Sequence, residues 1–420
     1  MSFTNNGKPQ KQKKGWLNRN ILGMSLASFF SDWNHEMASA VLPIFLSSVL
    51  GAPAFALGVI EGVADGVSTI FEIFAGWYSD RIGKRKGLAA IGYFITAFSK
   101  ASFALATNWF QVLIGRTAGW IGWSIRSPTR DALLVESSQP TTVGRAFAFH
   151  RTMDTLGAIA GPLTATLLLT HVQIRTIFFI SLVPGLLAFL AIILLVKEKA
   201  KIPDLRSTWH SIRNLSPNFI KFLVPVGIFG ISNFAPTLLI LRAQELLTPS
   251  HGAVVAGTFS VGLYTFSNVI YAMVGYPIGV LADKYSKKAI LSMGYLLFGL
   301  LCFGFLRADG QLWFLGLLFA MSGMYTAIIE SSQPALASTL IAADQRGTGY
   351  GVMSSVDGVG DFLSSITVGL LWTYISPTVG FAFGGVLAVI AGFILFFLRF
   401  KYPVKINLQS NNQSKRKSKP

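Results

Sequence analysis

Apolar residues run along this chain in blocks of about twenty, the length a helix needs to cross a bilayer, and polar residues gather in the short gaps between them. Blocks begin near Ile21, Ala54, Leu88, Trp109, Val143 and Gln173, and after a polar break near Pro217, Gly252, Ala289, Gln311, Gly347 and Thr378. The pattern predicts an all-α membrane protein with twelve spanning helices and short connections. Inside several blocks, polar side chains recur at helical spacing. At about 100° per residue, Ser25, Ser28, Asp32, His35, Glu36, Ser39 and Pro43 share one side of the first helix. Glu61, Asp65, Ser68, Glu72 and Ser79 share one side of the second. The fourth aligns Arg116, Trp123, Arg126, Ser127 and Arg130, with Asp131 just beyond, and the fifth carries His150, Arg151 and Asp154. Ionisable groups at bilayer depth need a partner or a wet cavity, so these stripes are expected to face an interior.

Composition supports lipid as the solvent. The chain is 52% hydrophobic and 13% charged, and soluble domains carry about twice that share of charge. A net charge of +17 would suit nucleic acid in a soluble protein. Here the cations sit instead in the tails and in alternate gaps. Lys8, Lys11, Lys13, Lys14 and Arg19 precede the first block, Arg81, Lys84, Arg85 and Lys86 follow the second, and Lys197, Lys199, Lys201, Arg206 and Arg213 follow the sixth. The gaps at 51–53, 106–108 and 376–378 are uncharged. The bias predicts that both termini are cytoplasmic, in a multi-pass protein of a bacterial cell membrane with no nucleic-acid partner. One cysteine, Cys302, excludes an intrachain disulfide and a cysteine metal cluster. No phosphate-binding loop, catalytic triad or metalloprotease helix is present, so neither enzyme activity nor a cofactor is expected.

The chain also repeats itself. At a constant offset of 203 residues, Gly76 meets Gly279, Asp80 meets Asp283, Arg81 meets Lys284, Gly144 meets Gly347, Asp154 meets Asp357 and Gly157 meets Gly360. Asp65 meets Asn268. The expected organisation is a basic tail (1–20), a six-helix bundle (21–196), a linker (197–215), a second, pseudo-symmetric six-helix bundle (216–401) and a disordered basic tail (402–420). Transporters built from such repeats place the substrate between them. Asp32 and Glu36 lack acidic counterparts, since the offset gives Ala235 and Leu239. That asymmetry favours a functional role for them, whereas the symmetry of Asp154 and Asp357 favours a shared structural or gating one.

The segment GWYSDRIGKRKGL resembles the loop between the second and third helices of the major facilitator superfamily. Gly76, Asp80, Arg81, Gly83 and Arg85 match that motif, and Lys84 is a conservative departure. GVLADKYSKKAIL resembles its degenerate second copy, and ADQRGTGYG the start of the eleventh helix. The resemblance implies a gate in which Asp80 faces the positive end of the eleventh helix, with Arg145 and Arg346 as available partners and Asp283 as its counterpart. The plainer alternative is that the basic residues only set orientation. Gly157 to Pro162 resembles the antiporter motif of drug–proton exporters, departing from it at Thr164 and Ala165; the same glycines also serve close packing. Arg116 with Gly122 partly resembles a proton-relay arginine motif, although Trp120 departs from it. Ser31, Asp32 and Glu36, together with Arg126 and the run Arg130 to Leu133, resemble a bacterial permease subgroup.

The expected function is therefore secondary transport of a small molecule by alternating access, proton-coupled and outward, by a protein working as a monomer. Asp32, His35, Glu36, Arg116, Arg126, Arg130, Asp131 and Asp154 are the candidates for proton coupling or substrate contact. Glu61, Asp65, Asn233, Tyr264, Asn268, Glu330 and Asp357 are candidate cavity residues, with Glu61 and Asp65 alternatively serving as packing partners of the arginines. Two other readings stay open. Asp32, His35 and Glu36, at helical spacing, suit transport of a metal ion or chelate, and the same fold can serve a sensor that transports nothing.

Overall fold

Long apolar runs in lipid must satisfy their backbone internally, which leaves the helix as the economical solution. In a computed structural model describing residues 16–82, 85–139, 141–198, 215–342 and 345–400, the described chain forms helices joined by short turns, with no strand among these residues. The helices are α1 (Arg19–Ile44), α2 (Ala54–Ile82), α3 (Arg85–Ser102), α4 (Trp109–Ser137), α5 (Val143–Leu169), α6 (Ile174–Leu195), α7 (Pro217–Ser232), α8 (Pro236–Lys284), α9 (Lys287–Arg307), α10 (Leu312–Leu340), α11 (Arg346–Tyr374) and α12 (Pro377–Phe397). Side chains at their starts satisfy amides that the helix leaves unpaired. Asn18 accepts from the amides of Asn20 and Ile21, Asn108 from Gln111, and Ser216 from Phe219.

Among the described residues, eight helical stretches are long and apolar enough to cross a membrane. The polar stripes of α1, α4 and α11 keep those three below that mark, and one stretch, Pro217–Ala282, is long enough for two crossings. Its course departs from the pattern in the sequence, where the seventh block runs unbroken to Gly252. The structure stops α7 at Ser232 and restarts at Pro236, leaving Asn233, Phe234 and Ala235 outside any helix. Proline lacks an amide hydrogen and disfavours helix in the residue before it, so the break falls where Pro236 puts it. A second interruption lies within α8 at Gly252, whose φ of 75° is a conformation glycine adopts without penalty. Residues 236–251 pass the end of α1, where Gln244 meets Ser48, and 253–284 return along α1 and α5.

The helices pack in two sets with matching partners. In the first, α1 lies against α5 and α6, α2 against α4, and α3 against α4 and α6. In the second, α7 lies against α11 and α12, α8 against α10, and α9 against α10 and α12. Glycines 203 residues apart play equivalent parts in this packing. Gly157 brings α5 onto the Phe29 carbonyl of α1, and Gly360 brings α11 onto Gly230 of α7.

The two sets meet along α2–α11 and α5–α8. On α2, a Cβ added to Gly58 would lie 2.3 Å from the Ser365 oxygen, and one added to Gly62 would lie 2.8 Å from that of Phe362. Small residues let backbones approach this closely in membranes. At the end where α1 finishes, polar links join the sets: Gln244 donates to Ser48 at 2.9 Å, the Phe55 amide to Thr373 at 2.8 Å, and Trp372 to Glu245 at 3.1 Å. Toward the other end a cavity separates α5 from α8.

Gly83, the tails and most of the linker lie outside the described residues, as do the surroundings of Gly76 and the side chains of Asp80, Arg81, Asp283 and Arg346. Arg145 is exposed at the start of α5. Arg85 binds Glu136 through its guanidinium and Glu198 through its amide, fastening the start of α3 to the ends of α4 and α6.

Gly58→Val should wedge α2 off α11 and cost about 1–3 kcal/mol, as overpacking does. Thermal unfolding in detergent, compared with Gly316→Ala, where an added Cβ meets nothing within 4 Å, measures it. Equal midpoints would show that the close approach does not matter.

Candidate functional site

Between the two sets lies a cavity of about 490 Å³. Helix α1 contributes Asp32, His35, Glu36 and Ser39, one turn apart or less, so its polar stripe does face the interior. Helix α2 adds Glu61 and Asp65, α4 adds Arg116 and Trp120, and α5 adds Arg151 and Asp154. From the second set come the non-helical Asn233 to Ala235, then Tyr264, Asn268 and Tyr271 of α8, Glu330 of α10 and Asp361 of α11. Seven of the lining residues are carboxylates and two are arginines.

The arginines of α4 sit at three levels and do different things. Arg116 and Glu61 are both buried and form a forked pair, with Nε and Nη2 at 3.0 and 2.8 Å from the same Oε2. The remaining Arg116 nitrogen donates to Ser39 at 2.6 Å, and the guanidinium lies 5.8 Å from the Trp120 ring. Such a fork restores much of what desolvation takes from both charges. Arg126 is wholly buried, with its guanidinium 4.7 Å from the Tyr93 ring, and reaches Asp32 only at 3.5 Å. Its Nε and Nη1 make no hydrogen bond. Arg130 donates to Asp131 at 3.0 Å and to Ser28 at 3.1 Å. Ser28 in turn donates to Asp154, which also faces Arg151 at 3.7 Å. Asp32 is thus the loosely held member of an otherwise well-bonded network.

Two contacts cross the cavity between the sets. The Tyr264 hydroxyl donates to Glu36 at 2.9 Å, and the Asn268 amide donates to the Ala158 carbonyl at 2.9 Å. Four lining carboxylates, Glu36, Asp65, Glu330 and Asp361, form no ion pair among the described residues. Glu36 has Tyr264, Glu330 has Tyr271 at 2.5 Å, and Asp361 has the Asn233 amide at 3.3 Å.

The structure distributes the sequence candidates unevenly. Asp32, His35, Glu36, Arg116 and Asp154 line the cavity with Glu61, Asp65, Asn233, Tyr264, Asn268 and Glu330. Arg126 and Arg130 lie behind the wall and hold its residues, and Asp131 pairs with Arg130. Asp357 is occupied by Gln333 at 2.7 Å, which in turn accepts from Tyr295 at 3.0 Å. The first-helix trio does not converge: Asp32 turns to Arg126, Glu36 to Tyr264, and His35 sits edge-on to Trp120 at 5.3 Å. No group of three metal-ligating side chains forms among the described residues. Sequence reasoning passed over Asp361, one helical turn past Asp357 and on the same face, which that spacing would have revealed. It also passed over Lys100, fully buried on α3, whose ammonium finds no hydrogen-bond acceptor among the described residues; a lysine inside an apolar block was the available signal.

Comparison with known proteins gives the family by two routes and the fold by a third. A family model described as Major Facilitator Superfamily matches residues 24–270 and 226–419. An uncharacterized MFS-type transporter of Methanocaldococcus jannaschii is 33% identical over 91% of this chain and 95% of its own length. The quinolone resistance protein NorA of Staphylococcus aureus is 22% identical over 88% of this chain and 94% of its own. Among solved structures, the nucleoside transporter NupG superimposes with a TM-score of 0.74 at 14% identity, covering 91% of this chain and 100% of that one. A peptide transporter, POT, solved with sulfate, gives 0.76 at 12% identity, covering 91% and 95%.

Replacing Arg116 by Met leaves the buried Glu61 without its counter-charge and should cost about 3–5 kcal/mol. The double variant Arg116→Met/Glu61→Leu should recover most of that loss in thermal unfolding. Additive losses instead would show that the two charges do not support each other.

Proposed function

The chain belongs to the Major Facilitator Superfamily, and on that footing we propose that it is a proton-coupled secondary transporter that exports a small molecule across a bacterial cytoplasmic membrane. It works as a single chain. The two helix sets tilt against each other and expose the central cavity to one side and then the other. With both termini in the cytoplasm, as the distribution of cations favours, the end joined by the Gln244, Phe55 and Trp372 links faces outward.

One observation carries the coupling. Asp32 lies in the cavity wall 3.5 Å from Arg126, an arginine already supported by the face of Tyr93. A cation over an aromatic ring keeps part of its stabilisation when its counter-ion is neutralised. Asp32 can therefore take up a proton without leaving a wholly unsupported charge behind it. Its neighbour network through Ser28, Asp154 and Arg130 joins α1, α4 and α5, so its charge state acts on three helices together. Glu36 holds Tyr264 of the other set, which makes its carboxylate a contact that must be released when the sets separate at that level. Ionisable groups at bilayer depth that face a cavity mark ion pathways in transporters. The quinolone-resistance relative and the Gly157 to Pro162 segment favour the outward direction.

The test is reconstitution into vesicles with an imposed pH gradient. Asp32→Asn and Glu36→Gln should each reduce gradient-driven flux on the order of a hundredfold, the scale of losing a positioned proton-transfer group, while detergent-extracted protein remains folded. Undiminished uphill flux in both variants would overturn proton coupling through α1. Ligand binding with no flux in the wild type would replace transport by sensing.

A further inference from the structure

Behind the cavity wall, two buried polar atoms of opposite charge lack partners. Lys100 on α3 is wholly buried, and its ammonium has no hydrogen-bond acceptor among the described residues. Glu61 on α2 is also buried, and Arg116 sends both Nε and Nη2 to the same oxygen, Oε2. The other oxygen, Oε1, is buried and accepts no bond there. Lysine is almost never fully buried unless it is paired, and a buried polar group left unbonded costs its full desolvation penalty.

The two atoms belong to one cluster of charges. A Cβ added to Gly119 of α4 would lie 3.3 Å from the Lys100 nitrogen, and Gly119 is less than one helical turn from Arg116. The ring of Phe103 lies 5.7 Å from the ammonium. The ionisable groups facing Lys100 are His35 and Glu36 on α1, Glu61 and Asp65 on α2, and Arg116 and Arg126 on α4. Helix α6, also packed on α3, carries Arg175, which donates to the Ala104 carbonyl at 2.6 Å. No residue of α3 lines the cavity, whereas Glu61 does. An unpartnered ammonium and an unpartnered carboxylate oxygen offer a buried water one donor and one acceptor, the smallest set of partners that holds such a water.

We propose that Lys100 is a further proton-carrying residue of the transport cycle, which exchanges its proton with the cavity through a bridging water and Glu61. An N–H bond of the ammonium breaks as its proton passes to the water, and the water gives one of its own protons to Glu61 Oε1. The products are an amine and a carboxylic acid, so the two charges cancel and Arg116 keeps its own. From Glu61 the proton passes to water in the cavity. Lysine suits this part because an amine can release its proton inside a protein where a guanidinium does not. The proposal rests on the proton-coupled reading, and it extends the coupling to a helix that touches no part of the cavity.

The test counts protons and needs no substrate. Where two conformations bind different numbers of protons, the logarithm of their equilibrium constant changes with pH by that difference. Spin labels on Gly144→Cys and Tyr285→Cys, both at exposed positions, report the separation of the start of α5 from the end of α8. They are placed in a Cys302→Ser background, and the populations of the two separations are followed in vesicles across a pH series. Lys100→Arg keeps the charge but not the exchangeable proton, and Lys100→Met removes both. Each should lower the wild-type slope by about one proton. An unchanged slope in Lys100→Arg, or in Lys100→Met should the bulkier arginine prevent folding, overturns proton exchange at Lys100. A slope kept in the Lys100 variants but reduced in Asp32→Asn removes this inference alone. A wild-type slope of zero removes the proton-coupled reading along with it.

Discussion

A charge in hydrocarbon must be met by a counter-charge, a hydrogen-bond donor or water, and most of the arrangement of this protein follows from that requirement. The apolar faces of twelve described helices have no preference between lipid and each other, so they do not by themselves select a packing. The polar stripes do. Glu61 brings α2 to Arg116 of α4, Ser39 attaches α1 to the same guanidinium, and Ser28 ties α1 to Arg130 and to Asp154 of α5. Four helices are thereby oriented about their own axes by a handful of bonds. The face they turn inward becomes one wall of the cavity.

Close packing supplies what polar bonds cannot, which is permission for the two helix sets to come together. Glycine on α2 and small residues on α11 put backbone against backbone over several turns, and polar links at one end add direction. Along α5 and α8 the approach is looser, and a cavity opens between them.

The parts legible in the sequence were those encoded by periodicity. Residues a turn apart share a face whatever the fold, so the stripes of α1, α2 and α4 could be read directly, and the constant offset exposed the matched glycines. The parts that were not legible depend on what lies opposite. Arg126 and Arg116 look alike along α4, yet Arg116 meets a close carboxylate, and Arg126 an aromatic ring and a more distant one. Symmetry also misled by omission: attention to Asp357, which has a counterpart, passed over Asp361, which has none and lines the cavity. The break before Pro236 was written in the chain, but a proline within a membrane helix is tolerated often enough that only packing decided its effect.

That break has a consequence for selectivity. At Phe234 and Ala235 the wall of the chamber is partly bare peptide, outside the hydrogen-bonding pattern of a helix, and the Ala235 amide is fastened by Ser365 at 3.2 Å. Main-chain groups in this stretch of wall survive any exchange of side chains. Substitutions around this chamber therefore change its charge and its shape without removing the main-chain groups from that part of the wall.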